Sequence, residues 1–211
     1  LFRSDGRGIT AGRAGFTSGT HDLLLVVRRY EQMAGTSTPL HRYVQPLTRI
    51  DSQVADGGDG DSTRGLDGFE DAWRRASQTD PRLNQAQDAV YDDLYFRPAM
   101  DQARRLGMTT ALGQLALLDT GIQHGNGTGP DDLPALITET GPAAGDDPAW
   151  LRRFLEVRRE HLENPAYEET TDVWRESLPR VDTLEGFIDQ QRFDLATPLE
   201  WTFAGTRFSV T

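Results

Sequence analysis

The sequence predicts a mainly α-helical fold with a small β element near each end. Three observations carry this prediction: apolar residues recur at helical spacing through most of the 211 residues, Gly-rich turns open the chain, and two alternating stretches close it. The composition agrees, because 36% hydrophobic and 26% charged residues are ordinary values for a globular protein. Since we find no internal repeat and no second composition regime, we expect a single domain over residues 1–211.

The first 50 residues contain one turn-rich segment and two predicted helices. Residues 1–20 are rich in Gly and lack helical periodicity, which predicts turns and short strands. Thr20 resembles an N-cap, and apolar residues follow it until Gly35 ends the first predicted helix. The second predicted helix, residues 39–50, contains Pro46, which predicts a kink or an early end.

The remainder of the chain is a predicted loop, a series of helices and a hairpin. Asp, Gly and Ser predominate from Asp51 to Asp67, which predicts an acidic surface loop; the Asp-x-Asp-x-Asp-Gly register of a calcium loop is absent. Residues 109–123 have a broad apolar face, typical of a central buried helix. The other predicted helices span residues 67–79, 81–95, 98–106, 131–140, 148–163, 167–177 and 183–194. Alternating residues at 199–203 and 207–210 predict the closing hairpin.

The residue types that the sequence lacks restrict its chemistry. There is no Cys, which excludes thiolate nucleophiles, disulfides and Cys-ligated zinc. All 22 basic residues are Arg, which excludes Schiff-base and P-loop lysine mechanisms. The four His do not form a His-Glu-x-x-His motif, and no feature calls for a metal or a cofactor. A catalytic site here must therefore depend on carboxylates, Arg, hydroxyls and aromatics.

The charge balance is strongly acidic, with a net charge of −11 at pH 7 and a pI of about 4.8. Such a field repels nucleic acid and anionic membranes and attracts cationic ligands. No apolar run approaches the roughly 18 residues that a membrane span needs. We therefore expect neither nucleic acid nor a membrane as a partner. A cationic substrate fits the charge, although many proteins are acidic simply for solubility.

The opening segment places polar side chains around glycines. Gly6 and Gly8 let the backbone turn sharply, so that Asp5, Arg7 and Thr10 can project into a common space. A carboxylate and a hydroxyl in that arrangement could hold one water, as general-base catalysis requires. The alternative is a tight turn with a surface Arg–Asp pair, and spacing alone favours this alternative.

Residues 5–10, Asp-Gly-Arg-Gly-Ile-Thr, open an ordered set of motifs. Ala14-Gly15 and then Asp22 follow this segment. Further motifs lie at Gly12–Thr20, Gln85–Asp88, Tyr95–Ala99, Ala111–Gln114, His124–Gly125, Phe154–Arg158, Arg180–Thr183 and Pro198–Trp201. Together they resemble the chitosanases of glycoside hydrolase family 46. Because the resemblance runs in order along nearly the whole chain, coincidence does not explain it.

The resemblance implies a lysozyme-like, two-lobed α+β fold with a small β-sheet beside a substrate cleft. It also implies endo-hydrolysis of the β-1,4 bonds of chitosan, a glucosamine polymer that is cationic when protonated, with inversion at the anomeric carbon. Inverting enzymes hold a general acid and a general base roughly 6.5–9.5 Å apart, which leaves room for a water. By this resemblance Asp5 is the base, and Thr10 helps to hold the water.

Other residues take roles through the same resemblance. Arg7, Asp22 and His124 would line the substrate groove. Asp22 also has a structural explanation, because an acid in the first turn of a helix stabilises that helix by roughly 0.3–1 kcal/mol; both roles can hold at once. For His124, substrate contact and loop packing remain open alternatives. For Trp73 and Trp201, which match family positions, we favour packing, since large aromatics are usually core residues.

Asp119, Arg158 and Arg180 form a second set of candidate residues. They are similar to an ion network that in the family lies behind the catalytic Glu and links it to the core. The alternative is a purely structural triad at helix contacts. Breaking a buried ion pair typically costs about 3–5 kcal/mol, because an uncompensated charge remains.

In the family the general-acid Glu lies in a helix on the N-terminal side of the Asp5 segment. Only Leu1 to Ser4 precede Asp5 in this sequence, and none of them is acidic. We therefore expect the sequence to be an N-terminally truncated fragment of a longer enzyme that carries the acid in its first helices.

The resemblance also implies partners and location: chitosan and chitosan oligosaccharides as ligands, a secreted, extracellular protein and a monomer. Two other functions remain open. A non-catalytic chitosan-binding protein would bind the polymer without cleaving it, and a Glu upstream of the motif would argue against it. A lysozyme-like peptidoglycan hydrolase is the third hypothesis, and the acidic charge balance argues against it.

Overall fold

The computed structural model describes residues 7–58, 60–143, 145–166 and 171–211. Over these residues the chain is mainly helical and has two small antiparallel sheets, so the predicted fold class is confirmed. The chain divides into two compact units, Leu1–Asp93 and Leu94–Thr211. None of the described helices combines the length and the apolar character that crossing a membrane demands.

The first unit opens with a minimal hairpin and continues with helices. Its elements are β1 (Thr10–Ala11), β2 (Phe16–Thr17), α1 (Asp22–Ala34), α2 (Val44–Ala55), α3 (Phe69–Thr79) and α4 (Pro81–Tyr91). The strands are antiparallel, with Thr10 opposite Thr17 and Ala11 opposite Phe16. Helix α1 is amphipathic and packs on α4; its buried apolar residues are Leu23, Leu24, Val26, Val27 and Tyr30.

Two boundaries in this unit differ from the prediction. Helix α1 begins at Asp22, and the residue before it is His21 with a φ of 74°, so Thr20 is not the N-cap. Helix α2 begins at Val44 and runs to Ala55, so the predicted end at residue 50 is wrong. Pro46 lies in the first turn of α2, where the missing N–H has no acceptor to lose, so the helix continues through it.

The second unit contains six helices among its described residues and a terminal hairpin. Its elements are α5 (Arg97–Leu106), α6 (Ala111–His124), α7 (Leu133–Thr140), α8 (Pro148–Glu163), α9 (Thr171–Arg175), α10 (Leu178–Asp189), β3 (Leu199–Phe203) and β4 (Thr206–Val210). A π-helical segment, Asp92–Phe96, lies between α4 and α5 in the sequence and takes the place of the last turn of the helix predicted over residues 81–95. The predicted hairpin is confirmed, with Trp201 opposite Phe208.

Helix α10 begins five positions before the predicted residue 183 and ends before residue 194. Its second residue, Pro179, is compatible with the first turn of a helix, so the earlier start breaks no backbone rule. The helix buries Val181, Leu184, Phe187 and Ile188 in the core of the second unit.

Helix α6 lies at the centre of the second unit, as its apolar face predicted. It contacts α5, α7 and α10, and Leu112, Ala116 and Leu117 are fully buried. The Asp146 carboxylate holds the start of this helix by accepting hydrogen bonds from the Thr109 and Thr110 backbone N–H groups at 2.8 and 2.9 Å. Because α6 is fixed in this way, the positions of its polar residues are fixed too.

Candidate active site

The segment predicted to carry the general base lies at the start of the first unit. Asp5 itself lies outside the described residues; Arg7 to Thr10 are described. Backbone hydrogen bonds join this segment to the turn after β2: Gly19 N–H donates to the Arg7 carbonyl at 3.0 Å, and Ser18 N–H donates to the Ile9 carbonyl at 2.8 Å. Residues 7–9 of the motif are therefore hydrogen-bonded to the turn after β2, and the alternative of a surface pair between Asp5 and Arg7 is not tested, because Asp5 lies outside the described residues.

Gly8 occupies a position that only glycine fits. Its φ is +73°, and a Cβ atom added there would lie less than 3.0 Å from Ser18 Oγ. The Gly8 N–H donates to Asp61 Oδ1 at 3.0 Å, and the next N–H along the chain, that of Ile9, donates to Ser18 Oγ at 2.9 Å. Neither Asp61 nor Ser18 is a predicted site residue. No local pattern pointed to Asp61, which lies 53 residues from Gly8.

Thr10 lies in β1 and is 8% exposed. Its hydroxyl Oγ1 is buried and has no hydrogen-bond partner among the residues that the structure describes. A buried hydroxyl can both donate and accept, and leaving it unpaired costs free energy. The group is thus able to orient a small polar molecule.

Asp22 lies at the start of α1 and is 5% exposed. Its Oδ1 atom accepts hydrogen bonds from the Thr17 N–H at 2.8 Å, the Thr20 hydroxyl at 2.9 Å and the Leu23 N–H at 2.9 Å. The carboxylate therefore joins β2, the following turn and α1, which is the structural role expected for an acid in the first turn of a helix. The predicted contact with substrate stays a prediction, as does that of Arg7, whose side chain is partly exposed.

The structure brings Asp119, Arg158 and Arg180 together in the second unit. Arg180 donates from Nη2 to Asp119 Oδ1 at 2.5 Å, and Arg158 Nη2 lies 2.7 Å from Asp119 Oδ2. Burial acts to raise the pKa of Asp119, but the positive charges of Arg158 and Arg180 outweigh it and hold that pKa below its ordinary value. The triad thus joins α6, α8 and α10 through one ionised carboxylate.

Arg158 is fully buried, and burial lowers its pKa. Its Nη2 forms an ion pair with Asp119 Oδ2, whereas Nε and Nη1 have no hydrogen-bond partner among the described residues. A guanidinium presents its N–H groups as a planar fork that matches a carboxylate. The donor set of Arg158 therefore suits a further carboxylate.

His124 ends α6 and is 6% exposed. Burial and the positive charge of Arg158 lower the pKa of His124 to about 3, so the ring is neutral at pH 7. Nδ1 donates to the Asp131 carbonyl at 3.0 Å, and the ring meets Trp174 edge-on at 4.8 Å. These contacts are those of the loop-packing alternative, and substrate contact by His124 stays a prediction.

The two aromatics matched to family positions pack differently. Trp73 is 7% exposed and lies beside Phe69, with ring centroids 5.8 Å apart. Trp201 is partly exposed and stacks on Phe208 at 5.6 Å. Within the described part of the chain, no group of three or more His, Asp or Glu side chains is arranged to hold a metal ion.

Solved structures place this fold among the chitosanases, a class of glycoside hydrolases. The GH46 chitosanase of Gynuella sunshinyii, solved in complex with chitotetraose, aligns with a TM-score of 0.89 and 39% identity, over the whole of this chain and 87% of that one. The native chitosanase of Bacillus subtilis MY002 aligns with a TM-score of 0.89 and 37% identity, over the whole of this chain and 88% of that one.

Sequence comparison narrows the class to one family. A chitosanase of Bacillus subtilis strain 168 is 41% identical over 92% of this chain and 70% of its own length. A chitosanase of Nocardioides sp. strain N106 is 33% identical over 98% of this chain and 70% of its own length. The sequence model of glycosyl hydrolase family 46 matches residues 3–199. The chain belongs to glycosyl hydrolase family 46, which confirms the resemblance inferred from its motifs.

Proposed function

We propose that this chain acts as an inverting endo-chitosanase that hydrolyses the β-1,4 bonds of chitosan. Family membership over residues 3–199 carries the proposal. The relatives named chitosanase support chitosan as the substrate, and the solved complex of a relative with chitotetraose supports binding of its oligosaccharides. The proposal includes a single catalytic domain over residues 1–211, action outside the cell and a monomeric protein.

Asp5 is the general base of the proposed reaction. It takes a proton from a water, whose oxygen then attacks the anomeric carbon from the face opposite the leaving group, so that the configuration inverts. The Thr10 hydroxyl orients that water, a role supported by its burial and by its lack of a protein partner among the described residues. The leaving oxygen receives a proton from a general acid, a role that we assign to no residue of 1–211.

Electrostatic attraction between the acidic protein and cationic chitosan supports the proposed substrate. Chitosan carries protonated amines, and carboxylates with a net protein charge of −11 attract them. Asp22 and Arg7 are proposed to line the groove, because both are hydrogen-bonded to residues 17–19 beside the segment that follows Asp5 in the sequence. His124 is proposed as a further substrate contact.

Asp119, Arg158 and Arg180 are proposed to support the general acid. The fully buried Arg158 has N–H groups without acceptors among the described residues, and a carboxylate is the group that such a donor set accepts best. Asp119 would hold Arg158 in position, and Arg180 would in turn hold Asp119, since one carboxylate oxygen of Asp119 faces each guanidinium group.

Release of reducing ends from highly deacetylated chitosan tests this function. We expect Asp5→Asn to abolish release and to leave calorimetric binding of a glucosamine hexamer within threefold of the unmodified chain, because the amide cannot take the proton. The first product should be the α-anomer by NMR, as inversion of a β bond requires. Unchanged release by Asp5→Asn contradicts the assignment of the base. Because the general acid is assigned to no residue of 1–211, binding without release by this chain is followed by the same assay on a chain that also supplies that acid. Binding without release there contradicts hydrolysis and supports a non-catalytic chitosan-binding protein.

A matched assay tests the substrate class. We expect no clearing of a bacterial cell-wall suspension at enzyme concentrations that hydrolyse chitosan fully. Clearing of cell walls together with no release from chitosan would identify the peptidoglycan hydrolase of the third hypothesis.

A further inference from the structure

We propose that Asp61 is a positioning residue for the general base, which it fixes through the backbone of Gly8. The proposal rests on the function proposed above. Asp61 Oδ1 accepts a hydrogen bond from the Gly8 N–H at 3.0 Å, and Gly8 follows Asp5 by three residues in the sequence. Asp61 acts on the motif from a different part of the chain, the acidic loop after α2.

This loop encloses two glycines of the candidate site. A Cβ atom at Gly8 would lie 3.2 Å from the Gly60 carbonyl oxygen and 3.3 Å from the Ser62 carbonyl oxygen. A Cβ atom at Gly19 would lie less than 3.0 Å from the Gly60 carbonyl oxygen. The backbone of residues 60–62 therefore lies close to both Gly8 and Gly19. A shift of this loop would displace the backbone at Gly8.

Hydrogen bonds from the turn after β2 also hold residues 7–9 in place. The Gly19 N–H donates to the Arg7 carbonyl, and Ser18 pairs with Ile9 in both directions, through its N–H and its Oγ. Asp61 thus completes a set of four hydrogen bonds, three from the turn after β2 and one from the acidic loop, around residues 7–9.

The loop is anchored at both ends, as a positioning residue requires. At its start the Gly57 N–H donates to the Val54 carbonyl at 2.9 Å, and the Gly58 N–H donates to the Gln53 carbonyl at 2.8 Å. At its end the Leu66 N–H donates to the Thr63 carbonyl at 3.0 Å, and Leu66 is 3% exposed. Asp61 therefore extends from an anchored loop with both flanks tied to helices or to the core.

Removal of the acceptor should act on catalysis more than on binding. Without Asp61 the Gly8 N–H loses its partner, and the turn that carries Asp5 gains freedom. A displacement of about 1 Å at a catalytic group can cost on the order of 10²-fold in rate. We expect Asp61→Ala to lower kcat by about 10–100-fold and to leave KM for a glucosamine hexamer within threefold of the unmodified value.

Two matched variants separate hydrogen bonding from charge. Asp61→Asn removes the charge but keeps an oxygen acceptor, so we expect kcat within about threefold of the unmodified value. Asp56→Ala removes the same charge from the same loop. Asp56 is exposed, and its side chain makes no hydrogen bond to residues 7–20 within the described part of the chain; we expect its kcat to be unchanged within twofold.

Hydrogen exchange of the Gly8 amide, followed by NMR, provides a readout independent of activity. We expect Asp61→Ala to speed this exchange at least tenfold and Asp61→Asn to retain most of the protection. Equal Gly8 protection in Asp61→Ala and the unmodified chain overturns the inference. An equal loss of kcat in Asp61→Asn or Asp56→Ala also overturns it, because charge would then be the cause. No residue of 1–211 is assigned the general acid, so the kcat values are measured on a chain that also supplies it. If that chain cleaves no chitosan, the proposed function fails, and the exchange data still decide whether Asp61 fixes the backbone at Gly8.

Discussion

Gly8 shows how closely single residues are fitted together in the candidate site. Its positive φ would cost an alanine about 1–2 kcal/mol in backbone strain. The neighbouring Ser18 Oγ and Gly60 carbonyl leave no room for a methyl group, so a second cost adds to the first. Gly57 has a similar φ of +82° but no atom within 4 Å of an added Cβ, so it isolates the backbone cost.

We expect Gly8→Ala to lower the free energy of unfolding by about 1–3 kcal/mol more than Gly57→Ala, the added cost being that of overpacking. Urea denaturation of the two variants beside the unmodified chain measures the difference. Equal losses of unfolding free energy in the two variants would show that Ser18 and the loop at Gly60 move aside, so that the packing around Gly8 is not rigid.

The same residues show what the sequence could and could not reveal. The spacing of Asp5, Arg7 and Thr10 around glycines marks a candidate segment, because backbone freedom is a local property, but only the resemblance to the family favours a catalytic role over a surface turn. The contact of Asp61 with Gly8 was not predictable, since it depends on how a loop folds back over 53 residues. The burial of His124 was equally hidden, because it depends on Asp131 and Trp174.

At the scale of elements, one carboxylate holds three helices together. Asp119 of α6 faces Arg158 of α8 and Arg180 of α10, and Arg158 has no exposed surface. If Asp119 becomes Ala, Arg158 keeps its buried position without a counter-charge. Asp101, which pairs with Arg104 on the exposed surface of α5, is a suitable control.

We expect Asp119→Ala to lower the free energy of unfolding by about 3–5 kcal/mol, as for other broken buried pairs. Asp101→Ala should cost no more than about 1 kcal/mol, because water screens an exposed pair. Urea unfolding followed by tryptophan fluorescence measures both. A loss at Asp119 as small as that at Asp101 would mean that Arg158 finds another counter-charge or reaches water.

Element boundaries were less predictable than the elements themselves. The central helix α6 was identified from its broad apolar face, and that face is the surface packed on α5, α7 and α10. The predicted end of α2 is wrong because residues from Asp51 onward are assigned to the acidic loop and Pro46 predicts an early end, and the predicted bounds of α10 are also displaced from the observed ones. Both helices place a Pro in the first turn, where it is tolerated, and α2 continues through Asp51 and Ser52.

At the scale of the whole molecule, two histidines set opposite pH dependences of stability. Burial of the ring acts to lower the pKa of His161, but hydrogen bonds to Glu139 at 2.9 Å and Asp131 at 2.7 Å outweigh it and raise that pKa. Burial and the charge of Arg158 lower the pKa of His124 to about 3. Among the described residues, the charged groups that face these two rings are Asp131, Glu139 and Arg158, and the charge of His161 itself also lowers the pKa of His124.

The direction in which each histidine changes stability with pH follows from the linkage between protonation and folding. Because the folded pKa of His161 is raised, its contribution is fully present below the unfolded pKa of about 6.5 and is lost as the pH rises through the folded value. Because the folded pKa of His124 is depressed, the unfolded chain binds more protons between pH 3 and about 6.5, and stability falls as the pH falls through this range.

From these two groups we expect stability to be highest near pH 6.5. The stability difference between the unmodified chain and His161→Gln should shrink as the pH rises above that value. Urea unfolding at pH 4.5, 6.5 and 8.5 measures the difference. A difference that stays constant from pH 6.5 to 8.5 would show that His161 is not held as a cation between its two carboxylates.

The loop between Ala55 and Leu66 has a consequence for anyone who engineers this enzyme. Its Gly- and Asp-rich composition makes it an obvious candidate for shortening, a common route to thermostable variants. Yet its residues 60–62 pack closely against Gly8, and Asp61 accepts a hydrogen bond from the Gly8 N–H. A shortened loop could therefore raise the melting temperature and lower turnover in the same variant. Libraries that vary loop length should keep residues 60–62 and accept deletions only on either side of them.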